Sequence, residues 1–146
     1  MTTTSKVDFL ESARRHNSDA NALLEDGRKA NAGHLFGFAL ECGLKALLMR
    51  AGVAPAADGD LPRGSEFRAH VDELSRLVIA RTTLPDGRDA NTVLSHLPRL
   101  GKMQDWRVGH RYWRESALPL ASLGDWQQAA VEMDRLLDEV VGGRIL

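Results

Sequence analysis

The sequence predicts an all-α fold, an antiparallel up-and-down bundle of four main helices with one short additional helix. Its 146 residues include 21 Leu and 18 Ala but only 9 Val and 2 Ile, and Leu and Ala favour helices whereas β-branched residues favour strands. Apolar residues also recur at intervals of three and four in several segments, which is the helical period. A chain of this length forms one core. We therefore expect residues 1–146 to form a single helical domain.

The first helix is predicted to begin at Ser5. Asp8 follows three residues later, and a hydroxyl side chain with an acidic residue at this spacing is typical of a helix start. Apolar residues then form a broken stripe, which ends before Gly27. Because glycine commonly follows the last turn of a helix, we expect the first helix to end there.

The second helix, about residues 29–51, is apolar on nearly every side. Apart from its two ends, Glu41 and Lys45 are its only charged residues. A helix without a polar face is buried, so we expect it at the centre of the fold. Gly37 and Gly43 each lower its helix propensity by about 1 kcal/mol. We expect them to permit the close approach of a neighbouring helix backbone.

Three further helices are predicted beyond a loop over residues 53–64 that is rich in Gly and Pro. They are a third helix that Ser65 caps and the turn at 84–87 ends, a short helix over about 89–97, and a last helix from Asp125 to Gly142. The last helix has the clearest apolar stripe. The segment 102–113 has no clear period and is dense in Trp, Arg, His and Tyr.

Composition excludes several classes of protein. The formal net charge is -1, so no global field attracts the chain to nucleic acid, and a phosphate site must be a local patch. The single cysteine, Cys42, excludes an internal disulfide and a cysteine zinc site and suits a reducing compartment. We find no signal peptide and no membrane-spanning apolar run. We expect a soluble, cytoplasmic protein without a metal site or a cofactor.

A line of polar residues on the second helix is the first candidate site. His34, Glu41 and Lys45 share one face, and Glu41 precedes Lys45 by four residues, the better order for a helical ion pair. On the structural interpretation, which we favour, the pair satisfies two charges in an apolar interface. On the functional interpretation, the three residues line a cleft or a dimer contact.

The segment 105–114 is the second candidate site. It contains three Arg, one His and three aromatic residues, which are Trp106, Arg107, His110, Arg111, Tyr112, Trp113 and Arg114. Arginine offers a planar fork of donors to phosphate, and aromatic rings can stack on a base. His110 is the candidate general acid or base, and Arg107 or Arg111 the candidate to stabilise phosphorane charge. Alternatively, the aromatic rings anchor a loop to the core while the arginines are solvated.

The order of several motifs resembles that of the HEPN superfamily (higher eukaryote and prokaryote nucleotide-binding). The second helix carries a Glu-x-x-x-Lys motif at Glu41 and Lys45 within a hydrophobic run. His70 to Leu74 resembles the His-x-x-x-Leu opening of the family's third helix. Trp106, followed by Arg111-Tyr112, is similar to a tryptophan and Arg-Tyr pair in one branch. The resemblance covers about residues 13–141.

The resemblance implies a helical bundle, commonly a homodimer. Many members are metal-independent RNases of toxin–antitoxin, phage-defence or RNA-processing systems, and others are non-catalytic modules that work beside a nucleotidyltransferase. In the RNases four to six residues separate an Arg from a following His, often with a Tyr two residues past the His. His110 and Tyr112 have the second spacing, whereas Arg107 and Arg99 stand at other distances from His110. Arg28 with His34 and Arg63 with His70 have the first spacing only.

We therefore expect a HEPN-like module that binds RNA or a nucleotide-like phosphate ligand. The predicted binding residues are His34, Glu41, Lys45, Trp106, Arg111, Tyr112 and Trp113, with His110 and Arg107 as the candidate catalytic pair. The alternatives are a metal-independent RNase and a non-catalytic dimerising partner protein. All three functions are compatible with a homodimer and with a nucleotidyltransferase or an antitoxin as a partner.

Overall fold

Three long helices form the body of the fold. The computed structural model describes residues 5–146, which contain α1 (Phe9–Glu25), α2 (Lys29–Arg50), α3 (Val71–Ile79), α4 (Asn91–Leu94) and α5 (Leu123–Val141). Short 3-10 helices lie between α4 and α5, at Leu100–Asp105, Val108–Tyr112, Glu115–Ala117 and Leu120–Ser122. The described residues contain no strand, and extended backbone pairs only in an isolated bridge between Thr83 and Asp89. The all-α prediction is confirmed.

α2 is the central helix, as its lack of a polar face predicted. It packs against α1, α3 and α5, and most of its residues are buried. A short turn at Gly27, whose φ is +76°, reverses the chain between α1 and α2. α3 has nine residues and packs against α2 and the 3-10 helix at Leu100–Asp105. The structure therefore has three long helices and two short ones.

The burial of α2 also bears on the question of a membrane. α2 is long and apolar enough to cross a bilayer, with a mean hydropathy of 1.3 over 18 residues. However, 72% of that window is buried against the rest of the chain. The core helix of a soluble protein has this combination of properties, because its apolar sides are covered by its neighbours.

The two glycines of α2 make room for side chains rather than for a helix backbone. A β-carbon on Gly37 would lie 2.1 Å from the indole of Trp106, and one on Gly43 would lie 2.5 Å from Met133 Cγ. The prediction of close approach at both positions is confirmed. The prediction that the approaching group is a helix backbone is wrong.

Four predicted helix boundaries are wrong. α1 begins at Phe9, because Asp8 rather than Ser5 is the N-cap and accepts a hydrogen bond from Glu11 N at 2.9 Å. Ser65 does not cap α3; its Oγ accepts from Phe67 N at 3.2 Å within the preceding loop, and the helix begins at Val71. The short helix spans Asn91–Leu94 instead of 89–97, and α5 begins two residues before the predicted start.

Candidate functional site

Three histidines from distant parts of the chain meet around one buried tryptophan. The ring of Trp106 is fully buried. Its centroid lies 5.0 Å from that of His34, which it stacks on, and 6.5 Å from those of His70 and His110. We call Trp106, His34, His70 and His110 the histidine cluster. Because Gly37 has no side chain, the indole can lie directly on α2, where Nε1 donates to the Gly33 carbonyl at 3.3 Å.

Phe38 extends the histidine cluster toward α1. Its ring meets His34 edge-on at 5.0 Å and Trp106 at 5.4 Å. On its other side lies His16 of α1, at 5.7 Å. Four of the five histidines of the chain are thus connected by ring contacts. Three of them, His16, His34 and His110, have pKa values lowered by burial, their largest cause.

Glu41 connects the histidine cluster to the buried ion pair of α2. Its Oε2 accepts from Lys45 Nζ at 3.1 Å, and both residues are more than 90% buried, so the predicted ion pair is confirmed. Its Oε1 lies 2.9 Å from Nδ1 of His70. A carboxylate only accepts hydrogen bonds, so Nδ1 of His70 carries the proton and donates. In the neutral ring, Nε2 is then the basic nitrogen.

The position of His70 suits proton transfer better than that of His110. The side chain of His70 is 50% exposed, so the ring can meet a ligand while Glu41 holds it in place. His110, by contrast, is buried between Trp113 and Trp126, at 4.6 and 6.1 Å. Its Nδ1 accepts from the backbone N–H of Arg107 at 3.3 Å, so His110 fastens its own segment to the core.

Burial and nearby positive charge both act on His34. Burial first, and then the charges of Arg111, His110 and His70, lower its pKa to about 4. Both of its ring nitrogens are buried and have no hydrogen-bond partner among the described residues. A positive field that disfavours imidazolium favours an anion.

Two of the three arginines of the segment, Arg107 and Arg111, differ in their contacts. Arg107 folds back onto the backbone, where Nη1 donates to the carbonyls of Gln104 and Trp106, and lies 3.5 Å from Asp72. The guanidinium of Arg111 lies 5.0 Å from the centroid of the Tyr112 ring. No carboxylate in residues 5–146 lies within 4.0 Å of it.

The sequence predictions place Arg107, His110, Arg111 and Tyr112 in one site. In the structure Arg111 contacts Tyr112, whereas His110 is buried and Arg107 binds backbone carbonyls. The aromatic residues of the segment are also divided. Tyr112 is 79% exposed and Trp113 is 49% exposed, so both offer ring surface to solvent. Trp106 offers none, because it belongs to the core.

His70 is the residue that the sequence did not single out. No spacing connects it to Glu41, which lies 29 positions earlier on another helix. The signals were its place at the opening of the third helix in the HEPN-like pattern and the spacing of Arg63 with His70. No group of three or more His, Cys, Asp or Glu side chains in the described chain is arranged to hold a metal ion.

Comparisons with models of known protein families, with curated proteins and with solved structures give no match to this chain. Any function must therefore be inferred from the contacts of the histidine cluster and of its neighbours.

Proposed function

We propose that this chain is a HEPN-like helical module that binds RNA or a nucleotide-like phosphate ligand beside the histidine cluster. The observation that supports this most is the convergence of His34, His70 and His110 on Trp106, with the positive charge of Arg111 close enough to depress the pKa of His34. A chain with a net charge of -1 has no general attraction for polyanions. Local positive charge is what such a chain needs to bind phosphate.

Arg111 is the proposed phosphate ligand. Without a carboxylate partner among the described residues, it does not have to break an ion pair in order to bind an anion. Its planar fork can donate two parallel hydrogen bonds to phosphate oxygens. Arg107 is less suited, because its Nη1 already binds two backbone carbonyls and lies near Asp72.

Tyr112 and Trp113 are the proposed stacking surfaces. Both rings are exposed, and the contact of Trp113 with the buried His110 holds the Trp113 ring in position. Stacking of a base on an exposed aromatic ring contributes about 1–3 kcal/mol. Arg111 can therefore bind the phosphate of a nucleotide while Tyr112 or Trp113 stacks on its base.

Binding of a fluorescently labelled RNA oligonucleotide, followed by anisotropy over a range of salt concentrations, tests this function. Arg111→Ala should weaken binding about tenfold and reduce the salt slope by about one. Arg63→Ala removes the same charge from an exposed loop position and should change neither quantity beyond about twofold. Equal effects of the two variants, or no saturable binding by the wild type, would contradict the proposal.

A second function, metal-independent RNA cleavage, is favoured by the contact between Glu41 and His70. With its ring held by Glu41, His70 would take the 2′-hydroxyl proton on Nε2. The 2′-oxygen then forms a bond to phosphorus, and the bond from phosphorus to the 5′-oxygen breaks. The 5′-oxygen takes a proton from water, and the hydroxide that remains takes the proton back from Nε2 of His70. The products are a 2′,3′-cyclic phosphate and a free 5′-hydroxyl, and no cofactor is consumed.

Cleavage of RNA in the presence of a chelator tests this second function. His70→Gln should abolish cleavage and leave RNA affinity within about threefold, because general bases contribute about 10²–10⁴-fold to rate. His110→Ala, in the predicted catalytic residue, should instead lower stability. Full activity in His70→Gln, together with loss of activity in a folded His110→Ala protein, would restore His110 as the base.

We also propose that the chain forms a homodimer. Its proposed partner, in a toxin–antitoxin or phage-defence system, is a nucleotidyltransferase or an antitoxin. Neighbours within one chain already cover α2, so α2 has no bare apolar face left for a second copy. Sedimentation at micromolar concentration should show a dimer. A monomer at micromolar concentration would exclude the homodimer.

A further inference from the structure

A second concave site lies at the far end of α2 from the histidine cluster. It is a cavity of about 490 Å³ between the first turns of α1 and the last turns of α5. Its floor is made of Leu47, Leu137 and Val140, all at most 5% exposed. The size is that of a small-molecule site, about 300–1,000 Å³. His34 lies 16 residues before Arg50 at the cavity, a separation of about 24 Å along the helix axis.

The walls of this cavity are held in place by specific contacts. On one side, the loop that contains Gly59 lies against the start of α1, where Val7 N donates to the Asp58 carbonyl at 2.8 Å. The approach is close enough that a β-carbon on Gly59 would lie 2.3 Å from Val7 O. On the other side, Arg14 of α1 pairs with Asp134 and Asp138 of α5, both at 2.7 Å. The cavity is therefore preformed, which lowers the entropic cost of binding.

Arg50 is the one lining residue of the described cavity with an available charge. It is exposed, no carboxylate of the described chain lies within 4.0 Å of it, and a single hydrogen bond to the Val140 carbonyl at 3.2 Å positions it. The other charged lining residue, Asp8, uses its carboxylate to cap α1. The cavity thus joins an apolar floor to one guanidinium with free donors.

We propose that this cavity binds a small apolar carboxylate, such as a medium-chain fatty acid. The carboxylate would accept hydrogen bonds from Arg50, and the hydrocarbon would cover Leu47, Leu137 and Val140. The positive charge of Arg50 favours an anionic ligand. It would repel an apolar cation, and a neutral alcohol would gain only the apolar contacts. The inference is independent of the RNA-binding proposal, since it shares no residue with the histidine cluster.

Calorimetric titration with decanoate and with decanol tests this site. Arg50→Gln should weaken decanoate binding about tenfold, the effect of one hydrogen bond to a charged group, and leave decanol binding unchanged. The control Arg63→Gln removes an exposed charge that does not line the cavity and should leave both ligands unchanged. Ala46→Trp places an indole in the cavity and should abolish binding of both. Val141→Trp, at an exposed lining position, is the second filling variant if Ala46→Trp does not fold.

Three outcomes would overturn the proposal. The first is the absence of saturable decanoate binding by the wild type. The second is an equal loss of decanoate and decanol binding in Arg50→Gln, or an equal effect of Arg63→Gln, since either removes the specific role of the Arg50 charge. The third is a wild-type dimer in sedimentation that both filling variants convert to monomer, which would assign the cavity to a second copy of the chain.

Discussion

Nδ1 of His70, the residue before α3, lies 2.9 Å from Oε1 of Glu41 in the middle of α2. This contact connects a half-exposed imidazole to a buried carboxylate whose other oxygen binds Lys45. Each partner has a separate task. Lys45 neutralises the carboxylate inside the protein, and the carboxylate fixes which nitrogen of His70 carries the proton. The ion pair that is part of the core therefore also orients the exposed ring.

Loss of Glu41 alone should destabilise the protein strongly. Glu41→Leu leaves the Lys45 ammonium buried without a partner, and the free energy of unfolding should fall by about 3 kcal/mol or more. The double variant Glu41→Leu, Lys45→Met removes both charges and should recover to within about 1 kcal/mol of the wild type. Urea denaturation measures both values. A double variant no more stable than Glu41→Leu would show that the pair does not act as a unit.

Gly37 should tolerate no side chain. In Gly37→Ala the new methyl group would overlap the indole of Trp106, and the strain should outweigh the gain of about 1 kcal/mol in helix propensity. We expect a net loss of about 2 kcal/mol. Gly124→Ala, in the first turn of α5, is the matched control, because a β-carbon there meets nothing within 4 Å. In thermal unfolding, Gly124→Ala should be at least as stable as the wild type. A Gly37→Ala protein as stable as the wild type would contradict the close packing of Trp106 on α2.

The sequence predicted the structural features that depend on residues close together along the chain. The burial of α2 followed from its lack of a polar face, and the pair of Glu41 with Lys45 followed from a spacing of four residues. The start of α3 was misplaced because Ser65 has the side chain of an N-cap, yet it bonds within a turn of the loop. Local pattern cannot distinguish these two uses of a hydroxyl.

The candidate site was harder to predict because its parts come from different elements. The dense segment 105–114 suggested that its residues act together, whereas Trp106 and His110 turn inward and Arg111, Tyr112 and Trp113 stay outside. The contact of His70 with Glu41 depends on how α3 packs on α2. A spacing of 29 residues carries no signal of its own, so only the tertiary structure shows it.

Cys42 should be unreactive in the folded protein. Burial, and then the nearby charge of Glu41, raise the pKa of its thiol to about 12, and the thiolate is the reactive form. An aromatic disulfide reagent at pH 8 should label no thiol in the native chain and one thiol in denaturant. Labelling of the native protein at the rate of the denatured chain would show that α2 opens readily.

The pH dependence of stability should carry a contribution from His34. Its pKa in the folded protein is about 4, below the ordinary value of 6.5. Between these two values the unfolded chain binds more protons than the folded chain, so stability falls as the pH decreases. The contribution is complete above pH 6.5 and is lost as the pH approaches 4. Its size is on the order of 2 kcal/mol, because partial exposure of the ring screens the full effect.

His34→Phe keeps a ring against Trp106 and removes the titrating group, so it isolates this contribution. Relative to the wild type, the variant should gain stability as the pH falls from 7 to 4.5, measured by urea denaturation at each pH. Proton NMR of the His34 ring should show its midpoint well below 6. Arg111→Ala should raise that midpoint, because the Arg111 charge is the largest cause of its lowering after burial. Parallel pH profiles of the two proteins, or a His34 midpoint near 6.5, would mean that the cluster lacks the positive field on which phosphate binding depends.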